Sequence, residues 1–182
     1  MLKEIKEFLD SIIYFFLNYF VCNIPIWTIR KALYKMLGLK IGKGSRILMK
    51  VIVVHPWKIT IGDNTYINEH CFLDGRGGLI IGSNVTIAIY SKLITGYHNI
   101  DDESFTYLEK KIIIKDNCAV FADSIVLGGA FLNRGTVLSV GSVAKAGTYV
   151  KNGVYAGNPI KLIRKRKAEE FSVPQKWKIY FR

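Results

Sequence analysis

Acidic residues are scarce in this 182-residue chain: 14 Asp and Glu stand against 26 Lys and Arg, for a formal charge of +12. Cysteine is scarcer still. Cys22, Cys71 and Cys118 are odd in number and form no CxxC pair, which excludes a disulfide framework and the usual zinc spacings. All three read as small buried hydrophobes in a reducing compartment. No long apolar run is present either. The uncharged stretch Ser11 to Trp27 is about one helical turn short of the ~20 residues of a bilayer span, and it contains Asn18 and Asn23. A signal peptide fits poorly, because Glu4, Glu7 and Asp10 dilute the basic start and no small-residue cleavage site follows.

What is abundant is a beat of six. Ile114, Val120, Val126, Leu132, Leu138, Ala144, Val150 and Ala156 are all aliphatic, and a small or thin residue follows four positions after each of the first seven: Cys118, Ser124, Ala130, Thr136, Ser142, Thr148 and Val154. A helix repeats every 3.6 residues and a strand every 2, so neither alone gives a period of six. A triangular coil does, with the aliphatic residue inside the prism and the small one at a crowded corner. Coils are expected to start at Ile41, Ile61, Ile81, Ile114, Leu132 and Val150, the first three announced by KIGKGS, TIGDNT and IIGSNV. Six coils stacked at the strand spacing would stand roughly 25 to 30 Å tall. The first two coils each carry a two-residue insertion, and the third extrudes a loop over about residues 96–111, GYHNIDDESFTYLEKK. Such a loop is where function is most often placed. Trp57 falls at a corner where a small residue is expected.

Three segments follow: a helical cap over residues 1–40, a parallel β-helix over 41–160 and a basic tail over 161–182. Residues 3–37 read as two helices split around Ile24 and Pro25 that close the open end of the prism. Peripheral membrane contact through residues 11–27 is the alternative use of the same apolar stretch. The tail carries half of the net charge, in KLIRKRK and KWKIYFR, and suits an anionic ligand or surface.

Residues 60–166 resemble the left-handed β-helix acyltransferases of the hexapeptide-repeat family, in particular bacterial sugar O-acetyltransferases acting on galactosides, maltose or exopolysaccharides. The resemblance rests on ITIGDNTYINEHCFLD, IIGSNVTIAIYSKLITGYHNIDDESF and VYAGNPIKLIRKR. It implies an all-β solenoid of left-handed coils with a short C-terminal helical tail. It also implies acetyl-CoA as co-substrate, a saccharide acceptor, a homotrimer and a cytoplasmic place in surface polysaccharide biosynthesis. Nucleic acid and a metal are not expected.

His98, at the entrance of the extruded loop and followed by Asn99, Ile100, Asp101 and Asp102, matches the family's catalytic histidine. Imidazole suits the chemistry, since it is a base near neutral pH that can take a hydroxyl proton and return it to a departing thiolate. By the same resemblance Asn68 and Asp74 contact the acceptor, although Asn and Asp are equally at home in corner turns. Gly141 and Lys145 resemble residues lining the pantetheine, and Lys161, Arg164 and Arg166 are placed to meet phosphates. His55 and His70 read as packing or surface residues. A zinc-dependent carbonic anhydrase on the same solenoid would need a close set of histidines, whereas these three fall on separate coils. N-acetylation of an amino sugar nucleotide remains open, as does an interaction solenoid that uses the basic tail.

Overall fold

The structure, a computed structural model, describes residues 2–168. Short parallel strands form three sheets, each holding one strand from successive coils. Face A begins with Lys40–Ile41, face B with Arg46–Ile47 and face C with Ile52–Val54. The expected aliphatic column holds its register on face A: Ile41 pairs with Ile61, Ile61 with Ile81, Ile81 with Ile114, and Ile114 with Leu132. These side chains and their counterparts Ile67, Ile87, Val120 and Leu138 on face B and Leu73, Leu93 and Val126 on face C form one continuous core. Burial of these stacked side chains, at about 25 cal/mol per Å² of apolar area removed from water, drives the stacking.

The corners explain the recurring G-x-[GN]-[ST] phrases. At the corner between faces A and B, Gly44, Asn64, Asn84, Asn117, Gly135 and Asn152 all take positive φ, one per coil. Asn and Gly tolerate that region with the least strain. In three coils the next residue is Ser45, Thr65 or Thr136, whose hydroxyl bonds the neighbouring coil, as where that of Thr65 donates to the Gly82 carbonyl at 2.7 Å; Val85, Cys118 and Gly153 take the same place in the others. A second positive-φ column, Lys50, His70, Tyr90, Asp123 and Gly141, marks the corner between faces B and C. His70 is thus a corner residue, stacked on Tyr90 at 5.0 Å.

All three insertions fall at the third corner, between faces C and A. There Pro56–Lys58 forms a single 3-10 turn, which swings Trp57 outside the prism and stacks it on His55 at 4.9 Å. In the third coil the same corner extrudes a two-stranded antiparallel hairpin, Gly96–His98 with Tyr107–Glu109.

Two expectations are corrected. Tyr149, not Val150, continues the face A column, and Tyr155, not Ala156, the face B column. Only Lys145 and Ala146 separate Ala144 from Gly147, the register partner of Ala130, where three residues separate Val126 from Ala130. One missing corner residue shifts everything after it by one, so Val150 is exposed and Gly147 and Gly153 take the corner places expected for Thr148 and Val154. In addition, the described start of the tail is a strand and not a helix: Ile160–Lys165 returns antiparallel along Gly153–Gly157. The last coil leaves a row of unpaired backbone groups, and a returning strand satisfies them while its Lys and Arg residues discourage further pairing. The rest of the tail, residues 169–182, lies outside the described residues.

At the other end sits the cap, with α1 (Leu2–Phe15) running into a π-helical turn, Phe16–Phe20, and α2 (Trp27–Met36) following Pro25. Leu17, Val21 and Tyr34 seal the core. Asn18 explains its place in an apolar run: its amide donates to the Val53 carbonyl at 3.0 Å and accepts from the Val53 N–H at 2.8 Å, acting as a missing strand above face C. The fully buried Arg30 guanidinium donates to the carbonyls of Ile24 and Ile47.

Candidate active site

The hairpin is rooted on Asp74, one coil below it. Asp74 is completely buried and bound on every side: Arg76 meets both carboxylate oxygens at 2.9 Å, and the N–H groups of Arg76, Thr95 and Gly96 donate at 3.0, 2.9 and 3.1 Å. Burial by itself would raise the Asp74 pKa, but the hydrogen bonds from Arg76 and Thr95 outweigh it and hold the carboxyl below its usual range. The Arg76 guanidinium lies 5.5 Å from the Tyr107 ring on the returning strand. The Tyr107 hydroxyl sits over Gly96, where any Cβ would strike it. The acceptor contact expected of Asp74 is replaced in this chain by a clasp on the hairpin, because its oxygens are taken by the protein's own donors.

At the hairpin tip, His98 is exposed and oriented. Its Nδ1 lies 2.8 Å from the Phe105 carbonyl, and its ring stacks on Phe105 at 4.3 Å with 8° between planes, edge-on to Tyr107 at 5.3 Å. A carbonyl can only accept, so Nδ1 carries a proton, and in the neutral ring the lone pair is then on Nε2. Nε2 has no partner among the described residues. The turn that brings Phe105 round is closed by Asp102, whose carboxylate accepts from the Thr106 hydroxyl and, at 3.0 Å, from the Ser104 N–H. Phe105 itself takes positive φ. Phe105 was not foreseen, since a carbonyl that orients a ring leaves no side-chain signal in the sequence.

The other expected site residues divide among the corners. Lys145 sits with the hairpin on the C–A corner, in a shallow cleft lined by Ile94, Tyr97, Lys110, Leu127 and Gly128. Asn68 and Gly141 lie on the B–C corner of the same chain, one side of the prism away, roughly 15 Å for about five extended residues. The Asn68 side chain accepts from the Glu69 N–H at 2.8 Å. Gly141 has open space where a Cβ would stand. Lys161 and Arg164 are exposed on the returning strand at the far end. Arg166 turns back to the protein and donates to the Asn117 carbonyl at 3.0 Å, so its guanidinium braces the A–B corner instead of facing outward. Among the described residues no group of His, Cys, Asp and Glu could hold a metal. Cys71 and Cys118 are buried, with burial pushing both thiols up to about 12.

No protein-family model matches the chain. The Escherichia coli K12 protein named as the colanic acid biosynthesis acetyltransferase WcaF is 34% identical over 141 residues, 78% of this chain and 77% of that protein. A hexapeptide-repeat acetyltransferase of Vibrio cholerae, solved with acetyl coenzyme A, superposes with a TM-score of 0.81 at 23% identity over 89% of each chain. A maltose O-acetyltransferase of Clostridium difficile 630 gives 0.74 at 23% identity, over 84% of this chain and 83% of that one. With the triangular coils, the hairpin at one corner and a relative matched over three quarters of its length, the chain belongs to the hexapeptide-repeat acetyltransferases, whose fold is the left-handed β-helix.

Proposed function

We propose that this protein transfers an acetyl group from acetyl-CoA to a hydroxyl of a saccharide in surface polysaccharide biosynthesis, with His98 as the general base. The observation that carries the reading is the 2.8 Å contact of His98 Nδ1 with the Phe105 carbonyl, which turns Nε2 outward at the tip of the hairpin as the nitrogen available to take a proton. The acceptor hydroxyl gives its proton to Nε2 as its oxygen attacks the thioester carbonyl carbon. The tetrahedral intermediate then collapses, the carbon–sulfur bond breaks, and the imidazolium returns the proton to the leaving thiolate. A covalent relay through a solenoid thiol is disfavoured, because Cys71 and Cys118 are buried and held protonated.

The acting unit is a homotrimer. His98 and Lys145 lie on one corner, Asn68 and Gly141 on another, so a threefold arrangement that sets the C–A corner of one copy against the B–C corner of the next would assemble the set. Lys145, Lys161 and Arg164 are the cations available to donor phosphates. Arg76 and Asp74 keep the hairpin placed. A donor found in the cytoplasm and free buried thiols support action there.

The deciding experiment incubates the purified protein with acetyl-CoA and a panel of neutral sugars, amino sugars and polysaccharides, following released coenzyme A. Turnover with a hydroxyl acceptor, lowered by about 10² to 10⁴ in His98→Ala, is the expected result. Turnover confined to amino sugars would replace this reading with N-acetylation, and none with any acceptor would remove it.

A further inference from the structure

α1 is built the wrong way round for a helix that serves only its own core. Ile5, Phe8, Leu9, Ile12, Phe15 and Phe16 recur at spacings of three and four and form a single stripe, and all six are exposed, Phe8 by 66%. The opposite side meets the protein: Ile13 packs on the core, and Asp10 approaches His55 at 3.6 Å. Tyr19 and Phe20 extend the stripe through the π-helical turn, and Ile26, Ile29 and Met36 add apolar surface along α2. Leu17, Val21 and Cys22, from the same uncharged stretch, are buried. The segment therefore caps the prism with one side and offers an aromatic-rich surface to the outside with the other. A patch of this kind marks an interaction site.

Charge decides the occupant. Residues 1–58, the cap and first coil, hold ten Lys and Arg against three acidic residues, a net +7. Lys6, Lys35, Lys40, Lys43 and Lys50 are exposed at this end of the prism. A second copy docked on the stripe would bring two such ends together, whereas an anionic lipid surface offers the opposite charge. No helix among the described residues is long and apolar enough to cross a membrane, so the geometry is that of a helix lying in the interface. We infer that the outward stripe of α1 and the basic residues around it dock the enzyme on an anionic membrane surface. α1 meets the C–A corner at the first coil, where Asp10 approaches His55, and the hairpin leaves the same corner two coils further along, so docking would hold that corner toward acceptors carried on the surface.

The test is sedimentation of the full chain with vesicles of phosphatidylcholine alone or mixed with phosphatidylglycerol. Binding to the mixed vesicles, weakened by salt, is expected, with Phe8→Ser, Ile12→Ser and Phe15→Ser together lowering affinity on the order of tenfold or more while leaving particle size unchanged. In a separate arm that does not depend on that triple variant folding, Phe8→Trp should shift its emission to the blue on mixed vesicles. Failure of the parent chain to sediment with either vesicle, unshifted emission, or a triple variant that still binds would overturn the inference. A smaller particle in light scattering for the triple variant would overturn it as well, by assigning the stripe to contact between copies. Acetyl transfer to a soluble sugar by the triple variant keeps this outcome separate from the proposed activity.

Discussion

Asp74 receives the backbone N–H of Thr95 at 2.9 Å, a bond between residues in successive coils at the point where the hairpin leaves the prism. With Arg76 and Gly96 on the same carboxylate, a single buried side chain fixes the base of the element that carries His98. Asp74→Ala should therefore cost on the order of 3 kcal/mol, because the buried N–H groups of Thr95 and Gly96 lose their acceptor while the half-exposed Arg76 can turn to water. Thermal unfolding measures that loss, and limited proteolysis should find the hairpin newly sensitive.

The same carboxyl makes part of the stability depend on pH. Its native pKa lies below the unfolded value of about 3.9, so its contribution is complete above that value and disappears as pH falls through the native one. The stability difference between the parent chain and Asp74→Asn should accordingly shrink from about pH 5 downward, measured by denaturant unfolding across the acid range.

Replacing His98 by Ala should lower kcat by about 10² to 10⁴ and leave coenzyme A affinity within a few fold, because the ring acts on the acceptor proton and not on donor binding. Steady-state rates and calorimetric binding check the two halves independently. Turnover close to the parent rate would rule out the base assignment.

A site shared between copies predicts complementation. His98→Ala and Asn68→Ala chains, each impaired alone, should regain activity when unfolded together and refolded, because about a quarter of the interfaces then combine an intact hairpin corner with an intact Asn68 corner. Mixtures no more active than the separate variants would place both residues in one chain's site or remove Asn68 from it.

Arg166 and Lys145, both expected on the donor side, should separate cleanly. Arg166→Ala removes a charged donor from a corner carbonyl and should cost about 2 kcal/mol of stability with little change in donor KM. Lys145→Ala, in the cleft beside Tyr97, should raise donor KM in a salt-sensitive way and leave the unfolding temperature unchanged.

The six-residue beat was enough to recover the fold, because each coil repeats the same local demand: an aliphatic side chain inside, a thin one at the corner, and Asn or Gly at the A–B corner where φ turns positive. The sequence alone therefore determined the coil starts from Ile41 to Leu132, the extruded loop and the exposed place of His98 on it. It did not show that Lys145–Ala146 is one residue short, since the run of aliphatics continues through Val150 and Ala156 and only pairing against Leu132 and Leu138 reveals Tyr149 and Tyr155 as the inward residues. Nor could it give Asp74 its partners, which come from Thr95 and Gly96 in another coil, or orient His98, which depends on the carbonyl of Phe105 across the hairpin. The two uses of the apolar N-terminal stretch looked like alternatives in one dimension. Tertiary structure gave Leu17 and Val21 to the core and turned Phe8, Ile12 and Phe15 outward, because a helix has two sides and the prism covers only one.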